Sequence, residues 1–226
     1  MRINQFIAGS TDLSRRAADA AVAAGRVSIN GHTAAMGQLV DARDSVMLDG
    51  TALALRQIHT YVLLNKPAGY VSSRVRQGTG PTLYELLPPL YKTLRIAGRL
   101  DRDSSGLVVL TDDGDFIFQL THPSAEKSKR YELTLQSPLS AADQRKLEAG
   151  VVLADGPSQV HVLETRGRSL TVTLSEGRNR QLRRTLGALG YTITKLHRVS
   201  MGSLELGALA PGKWHEIDRE GKEMAV

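Results

Sequence analysis

Residues 98–115 read GRLDRDSSGLVVLTDDGD, and the second half of this stretch decides the fold. Leu107–Leu110 is short, apolar and β-branched at its centre, and it closes on the polar turn Asp112-Asp113-Gly114. That pattern predicts a buried strand. A competing reading is a calcium loop, because Asp101, Asp103, Ser105, Gly106 and Asp112 fall at its first, third, fifth, sixth and twelfth positions, with Val108 at the apolar eighth. A hard cation needs about six or more oxygens. The twelfth residue here is Asp, shorter than a bidentate Glu, and Val109 offers no side-chain oxygen at the ninth position. A strand also follows where such a loop would join a helix. Calcium is therefore the lesser reading. A lone Arg-Leu-Asp would ordinarily be a turn cap with a surface partner, so a functional reading needs support from elsewhere in the chain.

Working outward, YVLLNK at 61–66 is an apolar run halted by Pro67. RYELTL (130–135) and LTVTLSEG (170–177) alternate as half-buried strands, and Gly167 in TRGRSLTVTL predicts a hairpin. RNRQLRRTLGALG (178–190) reads as a helix with Leu182, Leu186 and Leu189 on one face. Strands dominate and helices are interspersed, which predicts an α+β domain, mainly antiparallel, over 58–226. Residues 1–57 read as a separate small module, a helix pair plus short strands. Ser14 is the expected N-cap of a helix running to Ala24, and Gly25 stops it. RVSIN (26–30) ends at Asn30-Gly31, and a second short strand, 44–48, ends at Asp49-Gly50; both pairs are hairpin-turn signals.

Composition narrows the function. The chain has no cysteine, which excludes disulfides, thiolate metal sites and a Cys nucleophile. Hydrophobic residues make up 41% and aromatics only 4%, so a core is affordable but must be built mostly from Val, Leu, Ile and Ala. No run approaches membrane-span length, and MRINQFIAGS lacks the apolar stretch of a signal peptide. A cytoplasmic monomer with no membrane partner is expected. The formal charge is +6, which favours a polyanionic partner. Residues 1–58 are nearly neutral, whereas residues 163–198 hold eight Lys/Arg against Glu164 and Glu176. Such a concentration predicts a phosphate-binding surface.

Two sets of motifs carry a resemblance. RINQFIA, LSRRAADAAVAAGRVSINGH and VDARDSVMLDG follow one another in the first 50 residues. Together they resemble the alpha-L RNA-binding module, which implies recognition of folded RNA by shape and backbone. Arg15 and Arg16 open a helix, where backbone N–H groups also favour a phosphate, and Arg26 would extend the contact. NKPAGYVSS (65–73), the central GRLDRDSSGL, KRYELTL (129–135) and EGRNRQLRR (176–184) resemble, in order, the motifs of bacterial ribosomal RNA pseudouridine synthases of the RsuA/RluB-like branch. The resemblance implies a catalytic domain with a mixed, mainly antiparallel sheet and a central cleft. The substrate would be a uridine of structured ribosomal RNA, free or within an assembly intermediate. No cofactor and no metal are implied.

Pseudouridine formation breaks the C1′–N1 bond, rotates the uracil and joins C5 to C1′. By resemblance Asp101 is the central carboxylate, acting as nucleophile or as the base that takes a proton from C2′. Either route needs it ionised, while burial disfavours that form. Arg183 is the family's cation that would hold Asp101 charged and aimed, and an arginine does so with a permanent, two-pronged charge. Tyr131 would stack on the flipped base, and Arg99 would insert into the RNA or contact its phosphate. Lys66 is placed with the RNA-binding residues, beside Pro67 and Gly69, whose motif supports the pocket floor; Leu182 would pack beneath the pocket. Arg178, Arg180 and Arg184 are assigned to phosphate contact. His122 and His197 receive no catalytic role. EGRNRQLRR and VLADG favour large-subunit (23S) over small-subunit (16S) RNA. A noncatalytic RNA-binding assembly factor is the alternative, but a pure binder would not need Asp101, Arg99, Tyr131 and Arg183 together.

Overall fold

The computed structural model describes all residues except 57, 77, 123–126 and 225–226. The chain forms two compact units, residues 1–59 with 112–114, and residues 60–111 with 115–226.

In the first unit, α1 (Ile3–Ser10) and α2 (Arg15–Ala23) pack on a four-stranded sheet of β1 (Val27–Ile29), β2 (His32–Thr33), β3 (Val46–Leu48) and β4 (Thr51–Ala52), in the order β2-β1-β3-β4. Ser14 caps α2 by accepting the Ala17 N–H at 3.1 Å. The small residues Ala18, Ala21 and Val22 let the helix lie against Ile3, Phe6, Ile7, Val27 and Val46 in one core. Asn30-Gly31 and Asp49-Gly50 take φ of 52°, 83°, 51° and 78°, the left-handed pairs that a two-residue hairpin demands.

The second unit contains β5 (Tyr61–Lys66), β6 (Arg95–Ala97), β7 (Ser105–Thr111), α3 (Gly114–Thr121, its first residue in the other unit), β8 (Lys129–Leu135), α4 (Ala141–Ala149), β9 (Val151–Leu153), β10 (Gly156–Ser158), β11 (His161–Arg166), β12 (Ser169–Leu174), α5 (Gln181–Ala188), β13 (Ile193–Met201), β14 (Leu204–Glu205) and β15 (Trp214–Ile217). The large sheet runs β11-β12-β8-β13-β7-β5-β15. Its strand pairs are antiparallel except β7–β13. The burial pattern explains the sequence pattern. β5 is buried at every position because both sheet faces are covered there, by the clusters around Val62 and Leu64 on one side and Tyr61 and Leu63 on the other. β8 buries alternate residues because only one face is covered.

β7 is the centre of this arrangement. One edge pairs with β5 along Gly106–Thr111. The other edge forks: β13 takes Ser105 and Gly106, and β6 takes Val109–Thr111. At the fork Gly106 has φ +109°, and a Cβ there would lie 2.2 Å from the Arg198 carbonyl oxygen. No other residue fits, which gives the glycine of GRLDRDSSGL a physical reason. The same strand removes the calcium reading: seven extended residues separate the Asp101–Ser104 turn from Asp112, so the pattern cannot close round one ion. No cluster of potential metal ligands exists among the described residues.

Candidate active site

A cleft of about 620 Å³ opens in the second unit. Its lining brings together Arg99, Asp101, Tyr131, Arg178, Arg180, Leu182 and Arg183, seven of the residues singled out in the sequence. Lys66, Pro67, Gly69 and Arg184 are not among the lining residues.

The loop carrying Asp101 is held from several sides. Ser72 pins Leu100 by donating to its carbonyl at 2.7 Å and accepting its N–H at 3.2 Å. The Gly69 N–H donates to the Arg102 carbonyl at 2.7 Å, and Arg102 Nε returns to the Gly69 carbonyl. Lys66 Nζ donates to the carbonyls of Ser104 at 2.7 Å and Pro67 at 2.9 Å. The NKPAGYVSS segment is thus a brace for the loop. Lys66 is completely buried, so its placement among RNA-binding residues is corrected: it touches the protein interior only. Burial pushes its amine down to about 8, against the pull of Asp101 and Asp103, with the Arg198 charge adding to the depression.

The charge network differs from expectation at Arg183. Its Nη1 donates to the Ile193 carbonyl at 3.1 Å, and its Nη2 to the Asp103 carbonyl and to Ser104 Oγ. Its Nε lies 3.2 Å from Asp103 Oδ2 but is misaligned for a hydrogen bond. The cation within ion-pair distance of Asp101 is Arg180, with Nη1 at 3.8 Å from Oδ2. Arg180 gets there because its backbone is left-handed, φ 47° and ψ 33°, immediately before α5. The helix therefore starts at Gln181, three residues later than the sequence pattern suggested. Arg180 also clasps both oxygens of Asp103 at 3.1 Å. Burial pushes the Asp103 carboxyl up, but the Arg180 hydrogen bonds and the charges of Arg183 and Arg180 outweigh it and hold the pKa below the ordinary value.

Arg178 and Arg184 are not free for phosphate. Arg178 donates to the carbonyls of Asp155, Gly156 and Pro157 and pairs with Asp155 and Glu176, with its side chain only 19% exposed. Arg184 clasps Asp155 and donates to the Asn179 carbonyl. Both hold the β9–β10 hairpin against the start of α5. Phosphate contact by these two is not what the structure favours: Arg178 is engaged on the carbonyls of residues 155–157 and on Glu176, and Arg184 on Asp155 and Asn179. Arg99 behaves differently: it is exposed, with no hydrogen-bond or ion-pair partner among the described residues. Tyr131 is buried in the cleft wall, and Leu182 is buried on the inner face of α5.

Sequence reasoning missed Asp103, Lys129, Gln181 and Asp155, and it counted Arg198 as surface charge. Arg198 is 2% exposed and lines the cleft floor. A signal was available: Leu196, Arg198 and Ser200 occupy alternate positions of one strand, so period two places the arginine on the apolar side. Lys129 is likewise buried, which pushes its amine below the ordinary value, helped by the Arg198 charge. His197 is half-buried against Ser105 Oγ at 2.8 Å, and burial pushes its pKa down. In the first unit, Arg15 and Arg16 are exposed and unpartnered at the start of α2, while Arg26 is clasped by Asp49 on the facing turn.

One carboxylate and a set of arginines thus gather in a cleft beside a fork in a mixed sheet, and known proteins give the class of enzyme. The family model described as RNA pseudouridylate synthase matches residues 60–188. The chain is 36% identical to the ribosomal small subunit pseudouridine synthase A of Pasteurella multocida (strain Pm70), with 97% of each chain covered. It is 35% identical to the protein of the same name from Escherichia coli (strain K12), again over 97% of both. A solved structure titled as a pseudouridylate synthase superposes with TM-score 0.71 at 31% identity, covering 97% of this chain and 96% of that one. The chain belongs to the RNA pseudouridylate synthase family, and its activity is the isomerisation of uridine in RNA.

Proposed function

We propose that the protein converts a particular uridine of small-subunit ribosomal RNA to pseudouridine in the cytoplasm, with Asp101 as the reacting carboxylate. The observation that carries this is the convergence of Asp101, Arg99, Tyr131 and Arg180 on one cleft of about 620 Å³. Small-subunit RNA displaces the large-subunit preference drawn from EGRNRQLRR and VLADG, because relatives matching along 97% of their length carry small-subunit names.

The chemistry is balanced within the substrate. The C1′–N1 bond breaks, the uracil turns, the C5–C1′ bond forms, C5 loses its proton and N1 gains one. Asp101 acts as nucleophile or as C2′ base, with Arg180 Nη1 3.8 Å from its Oδ2. Arg183 acts on the site through Asp103 and Ser104, fixing the loop that aims Asp101. Tyr131 offers a flat wall for the extruded base, where stacking is worth about 1–3 kcal/mol. Arg99, free at the cleft, compensates for the vacated stack. Residues 1–57 act as an alpha-L RNA-binding module, with Arg15 and Arg16 at a helix start facing phosphate. The protein acts as a monomer.

Purified protein with a small-subunit RNA transcript and no added cofactor forms pseudouridine. Asp101→Asn lowers the rate by about a thousandfold or more while RNA affinity stays within several fold. Full activity in that variant removes Asp101 from the chemistry. Turnover on a large-subunit transcript alone removes the substrate assignment.

A further inference from the structure

We infer that Arg198 is a positioning residue that closes the base of the loop carrying Arg99 and Asp101; the inference rests on the assignment of the reaction to that loop. Its Nη2 donates to the carbonyls of Gly98 and Leu107, both at 2.7 Å, and its Nε donates to Leu107 at 2.9 Å. Gly98 and Leu107 bracket the whole loop, so one planar guanidinium joins its entry to its exit. It does so at the fork, where β7 leaves β13 and takes β6 as its partner, and the Leu107 carbonyl lies between the two pairings.

Two further observations favour positioning over packing. Arg198 is buried without a carboxylate partner among the described residues; its hydrogen-bond acceptors there are carbonyls. A buried charge held this way is a poor choice for stability alone, since a well-packed apolar side chain usually serves as well. It also faces two other buried cations, Lys66 and Lys129, whose amines its charge depresses. What an apolar side chain could not do is hold two carbonyls in a fixed relation. Lysine could not match the fork, because three donors on a rigid plane set direction as well as distance. The loop's outer side is pinned separately, by Ser72 at Leu100 and Gly69 at Arg102. Arg198 therefore sets how deep Asp101 sits relative to Tyr131, which lies on the neighbouring strand and pairs directly with Arg198.

Arg198→Lys keeps the charge and loses the fork; Arg198→Met loses both. Single-turnover pseudouridine formation is measured with enzyme in excess over a small-subunit RNA transcript, so the plateau rate does not depend on the folded fraction. The plateau falls about tenfold or more in Arg198→Met and by an intermediate factor in Arg198→Lys, as a sub-ångström to 1 Å misplacement would produce. RNA affinity stays within about threefold, because phosphate contacts are untouched. Amide hydrogen exchange rises in residues 98–107 and stays at the wild-type level in β8 and β12. A wild-type plateau in both variants, or faster exchange spread evenly over the sheet, overturns the inference. Should Arg198→Met fail to fold, Arg198→Lys decides alone: wild-type rate and wild-type exchange in 98–107 reject the role. If the wild-type enzyme itself forms no pseudouridine, the reaction assignment has failed, and the exchange readout still tests the closure.

Discussion

The two units differ in how they hold the arginines of one helix start and of one basic stretch. In the first, Arg15 and Arg16 stand exposed at a helix start, with no partner among the described residues. In the second, five arginines of the most basic stretch are engaged within the protein, while Arg166 and Arg168 stay exposed. Arg178, Arg180, Arg183 and Arg184 are tied to Asp101, Asp103, Asp155 and Glu176, and Arg198 is buried on carbonyls. The lesson is that a run of positive charge in a sequence does not by itself describe a surface. Net charge counts residues; potential at a surface depends on which donors remain unoccupied. Here the nearly neutral unit offers free cations, and much of the basic segment is scaffolding for the cleft.

That contrast is open to attack from its strongest member downward. Arg178→Ala removes three hydrogen bonds to carbonyls in a mostly buried place and lowers stability by about 2–3 kcal/mol, measured by chemical denaturation. A loss near zero would put Arg178 with the free arginines and dissolve the distinction. Lys66 extends the inward pattern to a titrating group. The folded protein releases this proton near pH 8, whereas the unfolded chain keeps it to about 10.5. Below pH 8 both states are protonated and the full penalty of the buried charge stands; between 8 and 10.5 it is relieved as pH rises. The stability of the wild type relative to Lys66→Met therefore increases by about 2 kcal/mol from pH 7 to pH 9.5. A flat difference would show that the folded protein holds the Lys66 proton as firmly as the unfolded chain does, so that burial does not depress it. The smallest effect on the fold belongs to Arg15→Gln with Arg16→Gln, which leaves the melting temperature unchanged within about 1–2 °C. The same pair weakens RNA binding roughly three- to tenfold and reduces the salt slope by about 2. Unchanged affinity would leave the first unit without its proposed phosphate contacts.

The elements were legible where local rules act alone. Ser14 as a cap and the Asn30-Gly31 and Asp49-Gly50 turns follow from side-chain and backbone chemistry within a few residues. The continuous apolar run of β5 and the alternation of β8 announced two-sided and one-sided burial. The motifs did gather residues that lie together, since Asp101, Arg99, Tyr131 and Arg183 line one cleft. Their pairings were not. Whether Arg180 or Arg183 reaches Asp101 depends on a left-handed residue before α5, a conformation that arginine rarely adopts and its side chain does not signal. Asp103 competes for both cations from two residues along the loop, and Asp155 reaches Arg178 and Arg184 from a hairpin more than 20 positions away. Such contacts are set by folding, which the local pattern does not contain.

The closure by Arg198 also bears on when the enzyme comes into being. Its hydrogen bonds to Leu107 and Gly98 span 91 and 100 positions of the chain. Synthesis proceeds from the N-terminus at about 5–20 residues per second, so the loop bearing Asp101 emerges roughly 5–20 s before the residue that closes it. A nascent chain carries Asp101 without the contacts that close its loop. The loop takes its closed form only once the last long strand lies between β7 and β8.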